Sequence, residues 1–185
     1  MISTNEFRNG INVILDKEIY TIVEFLHVKV GRGSAYMRTK LKNLKTGLVL
    51  EKTFRAGEKV ERAFIDYKKM QYLYKTDDDL VLMDKETYEQ LSLPIDLFGD
   101  GIKWIKEGEA ITILLHEAKA IGVEIPTFVE LAVTQTDPGF KGDTATGGNK
   151  QAILETGATL NVPLFLKIGD VIQVDTRTGE YLKRA

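Results

Sequence analysis

The chain has 185 residues, of which 43% are hydrophobic and 28% charged, and these proportions are those of an ordinary globular protein. The absence of cysteine excludes disulfides and thiolate chemistry, and a formal net charge of −2 argues against a protein that coats nucleic acid indiscriminately. No apolar run approaches the roughly 18 residues of a membrane-spanning helix, and the first residues lack the apolar core of a signal peptide, so we expect a cytoplasmic protein without a membrane anchor.

The first block of the chain, residues 1–64, is predicted to consist of short strands. Two of them flank Asp16-Lys17, a candidate two-residue hairpin turn, and another covers 48–54. Short strands with turns about every 8 to 12 residues are typical of a small barrel and not of a βαβ unit.

A hairpin is predicted at residues 24–46, and its two strands have different patterns. The first, 24–30, is rich in β-branched and aromatic residues, and the second, 36–44, alternates with a period of two. One face of the second strand carries Tyr36, Arg38, Lys40 and Lys42, and the other carries Met37, Thr39, Leu41 and Asn43. Gly31 and Gly33 permit the positive φ of a tight turn, so Arg32 is predicted at the tip.

Positive charge is concentrated in this hairpin. Between Phe25 and Leu50 there is no acidic residue, and there are six basic ones: Lys29, Arg32, Arg38, Lys40, Lys42 and Lys45. The remaining residues include 19 basic and 27 acidic ones, a net charge of −8. A cationic hairpin on an acidic chain indicates contact with a phosphate backbone, although a solvated hairpin whose tip arginine has no function would have the same composition.

Residues 65–126 form a second block, with strands predicted at 69–74, 80–83, 110–115 and 120–125. Asp84 is predicted to cap a short helix that runs through Tyr88 to Leu91. The single tryptophan, Trp104, is predicted to bury its ring in the core.

Pro126 marks the start of a third block, 127–185, with strands predicted at 129–134, 152–154, 159–162, 165–166 and 171–174. A long glycine-rich loop covers 137–149. In it Gly142 and Gly147 have the spacing of a phosphate-binding P-loop, but Lys and Ser/Thr do not follow and a strand replaces the required helix. The loop's backbone amides could still contact an RNA backbone, and a flexible connector is the alternative interpretation.

Side chains suited to catalysis are scattered. His27 and His116, the two histidines, lie in different predicted blocks, which suggests neither a metal pair nor a Ser-His triad. The carboxylates show no spacing typical of a paired general acid and base. We therefore expect a protein that is not an enzyme, has no catalytic residue and holds no metal or cofactor.

The hairpin resembles the signature of bacterial translation elongation factor P, whose usual form is Lys-Pro-Gly-(Lys/Arg)-Gly-x-Ala followed by a basic strand. Here it is Lys29-Val-Gly-Arg-Gly-Ser-Ala-Tyr-Met-Arg-Thr-Lys-Leu-Lys-Asn-Leu-Lys-Thr-Gly47, and the similarity continues through residues 51–60. The family's C-terminal signature is matched by Lys150, Ala152, Gly157, Leu160, Val162, Pro163, Leu166 and Gly169, and its typical ending by residues 174–181. The resemblance covers essentially the whole chain.

This resemblance implies an all-β fold of three small barrels in line. An SH3-like barrel of the KOW type would cover 1–64. Two oligonucleotide/oligosaccharide-binding (OB) barrels would cover 65–126 and 127–185.

The resemblance also implies a function in protein biosynthesis. Such a factor, acting as a monomer, binds the 70S ribosome between the P and E sites beside the P-site peptidyl-tRNA. It promotes peptide-bond formation at polyproline sequences by positioning the CCA end of the tRNA. An elongation-factor-P-like paralogue and an RNA-binding OB-fold protein that acts off the ribosome are the alternatives.

The resemblance assigns roles to particular residues. The residues implied in tRNA or rRNA binding are Lys29, Gly31, Arg32, Gly33, Arg38, Lys40 and Lys42. The residues implied in a ribosome contact of the glycine-rich loop are Gly142, Asp143, Thr144, Gly147 and Gly148. Tyr181 and Arg184 are further candidates for RNA contact.

Two positions depart from the family pattern. Val30 replaces the usual proline, so the hairpin keeps an amide donor and loses a fixed φ. Arg32 stands where many members carry a modified lysine. Members with arginine at the tip are rhamnosylated in some lineages and unmodified in others, so a modifying enzyme that acts on Arg32 is a candidate partner.

Overall fold

A computed structural model describes residues 1–29, 35–138 and 148–185. The described residues form sixteen strands and three short 3-10 helices. The strands form three sheets, which close into barrels or half-barrels. The predicted all-β fold class is therefore confirmed.

The first sheet has six strands in the order β1-β6-β2-β3-β4-β5. Their bounds are β1 Ile2–Ser3, β2 Asn12–Leu15, β3 Glu18–Val28, β4 Tyr36–Asn43, β5 Val49–Arg55 and β6 Lys59–Ala63, with the 3-10 helix η1 at Thr4–Glu6. The turn between β2 and β3 is the predicted one, because Asp16 and Lys17 have φ of 51° and 69°.

The second sheet has five strands in the order β11-β10-β7-β8-β9. Their bounds are β7 Asp66–Lys75, β8 Asp79–Met83, β9 Gln90–Pro94, β10 Ala110–His116 and β11 Lys119–Glu124, with the 3-10 helices η2 at Ile95–Leu97 and η3 at Gly99–Trp104.

The helix predicted after Asp84 is wrong. The chain forms a hairpin turn there, in which the Asp84 carboxylate accepts a hydrogen bond from the Glu86 amide at 2.8 Å. The Tyr88 amide donates to the Asp84 carbonyl at 2.9 Å. The residues that follow pair with β8, Gln90 opposite Met83, so strand pairing takes the segment that would have been helical.

The third sheet has five strands in the order β14-β13-β12-β15-β16. Their bounds are β12 Phe128–Thr136, β13 Asn149–Leu154, β14 Thr159–Pro163, β15 Val171–Asp175 and β16 Glu180–Arg184. The strand predicted at 165–166 is wrong, because a turn lies there, with the Leu166 amide donating to the Pro163 carbonyl at 3.2 Å. Leu166 is fully buried and Phe165 is exposed, an alternation that imitates a strand.

Two apolar cores are distinct within the described residues. One, inside the first sheet, includes Phe7 and Phe54, whose rings meet edge to face at 5.6 Å. The other lies inside the third sheet and contains Trp104 from η3, which confirms the predicted burial of this ring.

The contacts within the chain define two compact units. Unit 1 consists of Met1–Lys68 and Ile113–Gly122, and unit 2 of Lys69–Thr112 and Val123–Ala185. The predicted domain boundaries at 64 and 126 stay a prediction. Over the ranges that the structure describes, no helix is long and apolar enough to cross a membrane.

Candidate nucleic-acid interface

The basic hairpin is formed by β3 and β4, as predicted. The two strands are antiparallel and pair from Tyr20 opposite Asn43 to Val28 opposite Tyr36. Arg32, Gly31 and Gly33, predicted at its tip, lie outside the described residues, so the tip stays a prediction.

The alternation predicted for β4 is confirmed by its burial. Met37, Thr39, Leu41 and Asn43 are buried, whereas Arg38 and Lys42 are exposed and Tyr36 and Lys40 are half-buried. The Thr39 hydroxyl donates to the Lys52 carbonyl of β5 at 2.8 Å, which satisfies a polar group on the buried face. The apolar residues of this face fix which side of the strand its cations occupy.

The face of β3, β4 and β5 that carries the exposed cations is called here the outer face. Residues side by side on the three strands form four rungs, numbered from the tip. Each rung is written here with its β3 residue first, its β4 residue second and its β5 residue third. The four rungs are Val28, Tyr36 and Arg55; Leu26, Arg38 and Thr53; Glu24, Lys40 and Glu51; and Thr21, Lys42 and Val49.

Apolar side chains lie beside two of the cations of the outer face. Leu26 is opposite Arg38 and 57% exposed, and Val49 is opposite Lys42 and 56% exposed. Within the described part of the chain, neither Arg38 nor Lys42 forms an ion pair. Two free cations with aliphatic neighbours on a rigid sheet can contact both the phosphates and the sugars of a nucleic acid.

Lys40 differs from its neighbours on the strand. Its Nζ donates to Oε2 of Glu24 at 2.7 Å, in an ion pair whose side chains are 44% and 61% exposed. The pKa of Lys40 is raised from its ordinary value, first by this hydrogen bond and then by the charges of Glu24 and Glu51. Of the three β4 cations predicted to bind RNA, Lys40 is therefore the one whose charge is already matched.

A polar network fixes the base of the hairpin. Oδ1 of Asn43 accepts hydrogen bonds from the amides of Lys45 and Thr46 at 2.8 and 2.9 Å, which holds the turn into β5. Its Nδ2 donates to the Glu18 carboxylate at 2.7 Å, and the Tyr20 hydroxyl donates to the same oxygen at 2.7 Å. The bond to Glu18 is the main cause that raises the pKa of Tyr20. The network locks the register that places Lys42 beside Val49.

The sequence patterns missed three residues of the outer face. Arg55 lies beside Tyr36 on the first rung, and Glu24 and Glu51 lie on either side of Lys40. Both glutamates lie just outside the acid-free segment from Phe25 to Leu50. The signal that could have found them is the β4 pairing register, which a composition window does not contain.

Most of the glycine-rich loop lies outside the described residues, which leaves Gly142, Asp143, Thr144 and Gly147 as predictions. Gly148 is described and directly precedes β13. At the base of the loop the Lys150 ammonium donates to the Asp137 carbonyl at 2.8 Å, and Thr136 pairs with Ala152. The strands therefore fix the two ends of the loop.

The two remaining RNA-contact candidates have different surroundings. Tyr181 is half-buried and packs against the core of the third sheet. Arg184 forms an ion pair with Asp170, with Nη2 2.9 Å from Oδ1, although the Arg184 side chain stays 62% exposed. Of the two residues, only Arg184 has a largely exposed side chain that could donate hydrogen bonds to RNA. Its positive charge is partly neutralised by Asp170.

The histidines occupy unrelated positions. His27 is exposed on β3, and His116 ends β10, where its Nδ1 lies 3.0 Å from the Phe64 carbonyl oxygen. Throughout residues 1–29, 35–138 and 148–185, no group of three or more His, Cys, Asp or Glu side chains could hold a metal ion.

Comparison with known families covers nearly the whole chain. The elongation factor P KOW-like domain matches residues 3–60, the elongation factor P OB domain matches 65–123, and the elongation factor P C-terminal domain matches 129–184. Elongation factor P of Moorella thermoacetica is 56% identical over 185 residues, and the match covers 100% of both chains. That of Carboxydothermus hydrogenoformans is 54% identical over 184 residues, again with 100% of both chains covered.

Solved structures give the same picture of the fold. Eukaryotic translation initiation factor 5A from Methanococcus jannaschii is 27% identical, with a TM-score of 0.52 over 68% of this chain and 90% of that chain. An initiation factor 5A family protein from Naegleria fowleri is 13% identical, with a TM-score of 0.51 over 67% of this chain and 96% of that chain, a likeness of fold alone.

KOW-like and OB domains joined in one chain, with the likeness to an initiation factor 5A, define a translation factor. The chain belongs to the elongation factor P family. The family resemblance seen in the hairpin and the C-terminal signature is thereby confirmed.

Proposed function

We propose that this protein binds the ribosome between the P and E sites, beside the P-site peptidyl-tRNA, and promotes peptide-bond formation at polyproline sequences. It acts in the cytoplasm as a monomer and without chemistry of its own. Membership of the elongation factor P family supports this proposal, since translation factors of the family act on the ribosome.

The observation that carries the proposal is the outer face of the hairpin. Arg38 and Lys42 project from one rigid strand, unpaired among the described residues and flanked by the exposed side chains of Leu26 and Val49. Contacts from such cations to phosphates fix the position of a protein on RNA without reading its sequence. The hairpin therefore docks along the tRNA, and Lys29 adds a further cation where β3 ends.

The proposed role of Arg32 is positional. Proline restricts the geometry of the nascent chain, and its ring nitrogen is a poor nucleophile in peptide-bond formation. Holding the CCA end of the tRNA in a reactive pose removes an orientational cost, an effect that can supply several kcal/mol without a new chemical group. The glycine-rich loop around Gly142 to Gly148 makes a separate contact with the ribosome.

The test separates docking from positioning in a reconstituted translation system. Arg32→Ala should bind ribosomes within about three-fold of the wild-type affinity, yet it should rescue far less synthesis through Pro-Pro-Pro, because its contribution lies in orientation. Arg38→Glu with Lys42→Glu should instead lose affinity and lower the salt dependence of binding, because about two phosphate contacts and their released counterions are lost.

A matched control is Lys59→Glu, an exposed residue of β6 that reverses a charge in the same part of the chain. It should bind and act like the wild type. Full polyproline activity of Arg32→Ala would contradict the proposed role of the tip. The mass of the protein purified from its own source would show whether Arg32 is modified.

A further inference from the structure

The two acidic residues that bound the basic segment in the sequence lie at its centre in the folded sheet. No acidic residue occurs between Glu24 and Glu51, a span that contains six cations. Strand pairing nevertheless places these two glutamates on either side of Lys40, which is the central cation of β4.

The charge of the outer face therefore changes sign at the third rung. The first and second rungs carry one cation each, Arg55 and Arg38, and the fourth rung carries Lys42. The third rung carries one cation and two carboxylates, a net charge of −1. The basic row predicted from the sequence is thus interrupted in space.

We propose that Glu24 is a specificity-determining residue of this face: it occupies Lys40 and divides the face into two phosphate-contact sites. The tip-side site is formed by Arg38 and Arg55, and the base-side site by Lys42. This inference rests on the proposed docking of the hairpin along RNA. It adds that the hairpin selects RNA backbones by the positions of their phosphates.

The strand geometry gives the spacing of the two sites. Alternate residues of an antiparallel strand are about 6.8 Å apart, so Arg38 and Lys42 lie about 13–14 Å apart along β4. An RNA backbone that brings two phosphates to these positions, and none to the rung between them, meets only cations. A phosphate placed on the third rung meets the carboxylates of Glu24 and Glu51.

The negative charge of the third rung matters more than the strength of the ion pair. Exposed ion pairs are weak and are screened by salt, so a phosphate could draw Lys40 away from Glu24. The two carboxylates would remain beside that phosphate, and their repulsion would remain as well. Glu24 therefore acts as a positioning residue that disfavours binding in the wrong register.

The experiment compares Glu24→Gln with Glu61→Gln in the full chain. Glu61 is exposed on β6, two strands away from β3 in the sheet order, so both variants lose one negative charge in the same sheet. Two probes are used, each titrated over a salt series. The first is the 70S ribosome with a peptidyl-tRNA in the P site, and the second is a free RNA duplex of arbitrary sequence.

Glu24→Gln should bind both probes more tightly, by about three-fold or more at low salt, and the duplex should gain more than the ribosome. Its plot of log K against log salt should steepen by about 0.7–0.9, because Lys40 becomes available for one further phosphate. Glu61→Gln should match the wild type within about two-fold. Adding Lys40→Gln to Glu24→Gln should abolish the gain. The melting temperatures should stay equal, because the Lys40 and Glu24 side chains remain 44% and 61% open to solvent.

Three results would overturn the inference, and they differ in what else they overturn. If Glu24→Gln equals Glu61→Gln while Arg38→Glu with Lys42→Glu still weakens ribosome binding, the docking face stands and the role of Glu24 is wrong. If the charge-reversed pair also binds like the wild type, the outer face is not the RNA contact, and the proposed docking fails with it. A gain that persists after Lys40→Gln is added would likewise refute the role given to Glu24.

Discussion

At the scale of single residues, cations on one face of one strand are not equivalent. Arg38 and Lys42 have uncharged neighbours on both adjacent strands, whereas Lys40 lies between Glu24 and Glu51. Cross-strand neighbours approach as closely as residues of the same strand that share a face, so they decide whether a charge is free. The phosphate affinity of a basic strand therefore depends on its register as much as on its composition.

Asp175 shows the same dependence on neighbours in the turn between β15 and β16. Its carboxylate is nearly buried and accepts hydrogen bonds from Arg177 at three atoms, the backbone amide at 2.9 Å, Nε at 3.1 Å and Nη2 at 2.7 Å. The side-chain hydrogen bonds from Arg177 are the main cause that lowers the pKa of Asp175 to about 2. The charged carboxylate thus holds this turn.

We expect this carboxylate to contribute to acid stability. A carboxyl group with a lowered pKa in the folded state stabilises the fold fully above its unfolded pKa, near 4, and loses that contribution as the pH falls to about 2. Asp175→Asn should therefore melt at a lower temperature than the wild type at pH 7, and the difference should shrink between pH 4 and pH 2. Thermal unfolding followed by circular dichroism over this pH range measures both effects.

Glu180→Gln is the control for this prediction, because Glu180 is exposed at the start of β16 and pairs with Asp175 only through the backbone. Its melting temperature should follow the wild-type curve at every pH. A constant difference between Asp175→Asn and the wild type down to pH 2 would show that the turn does not depend on the charge.

At the scale of elements, local pattern sufficed for most strands. The alternation in β4 and the turn at Asp16-Lys17 were predictable because one face of a strand must bury its apolar side chains and a two-residue hairpin turn needs positive φ. The segment after Asp84 has the pattern of a helix start, because a carboxylate that accepts hydrogen bonds from local amides is common to helix caps and turns. The third rung could not be predicted, because cross-strand register is not a local property.

The turn between β15 and β16 also carries a close approach that the sequence does not reveal. Gly179 has φ of +73°, and a β-carbon there would lie 3.0 Å from Cζ2 of Trp104. Gly157 has a similar φ of +83°, with no atom within 4 Å of the corresponding position. A comparison of substitutions at the two glycines therefore separates the cost of backbone strain from the cost of packing against the tryptophan.

Gly179→Ala should therefore destabilise the protein more than Gly157→Ala. Both variants pay for a side chain at positive φ, about 1–3 kcal/mol, and only Gly179→Ala must also displace the Trp104 ring, which costs about a further 1–3 kcal/mol. Urea unfolding monitored by the fluorescence of Trp104, the single tryptophan, measures both. Equal losses in the two variants would show that the ring moves aside without cost.

At the scale of the whole molecule, charge is divided along the chain. Residues 1–64 include 12 basic and 7 acidic residues, whereas 65–185 include 13 basic and 20 acidic ones. The excess of positive charge is thus confined to the part that carries the hairpin. In the proposed function, such an acidic remainder opposes unspecific adhesion to RNA, and docking would depend on the hairpin.

The core of the third sheet crosses a predicted boundary. Trp104, from η3, is buried among residues of β12 to β15, although it precedes the boundary predicted near 126. The segment around it is also tied to the third sheet by polar contacts. The Thr156 hydroxyl donates to the Lys103 carbonyl at 2.6 Å, and Lys106 donates to the Glu130 carbonyl at 2.8 Å. The strands predicted at 110–115 and 120–125 follow η3 and belong to the second block. Nothing local in the sequence therefore assigns η3 to the third sheet.

Trp104→Ala in the full chain should consequently loosen the third sheet. Removing a buried tryptophan costs about 3–5 kcal/mol, and this loss should appear as faster hydrogen exchange in the amides of β12, β13 and β15. The amides of β3 to β5, whose core lacks Trp104, should keep their protection. Phe7→Ala, which empties the core of the first sheet, is the reciprocal control and should expose β3 to β5 instead. If Trp104→Ala weakened β7 to β11 and left β12 to β15 protected, the sheet after 126 would be independent of η3.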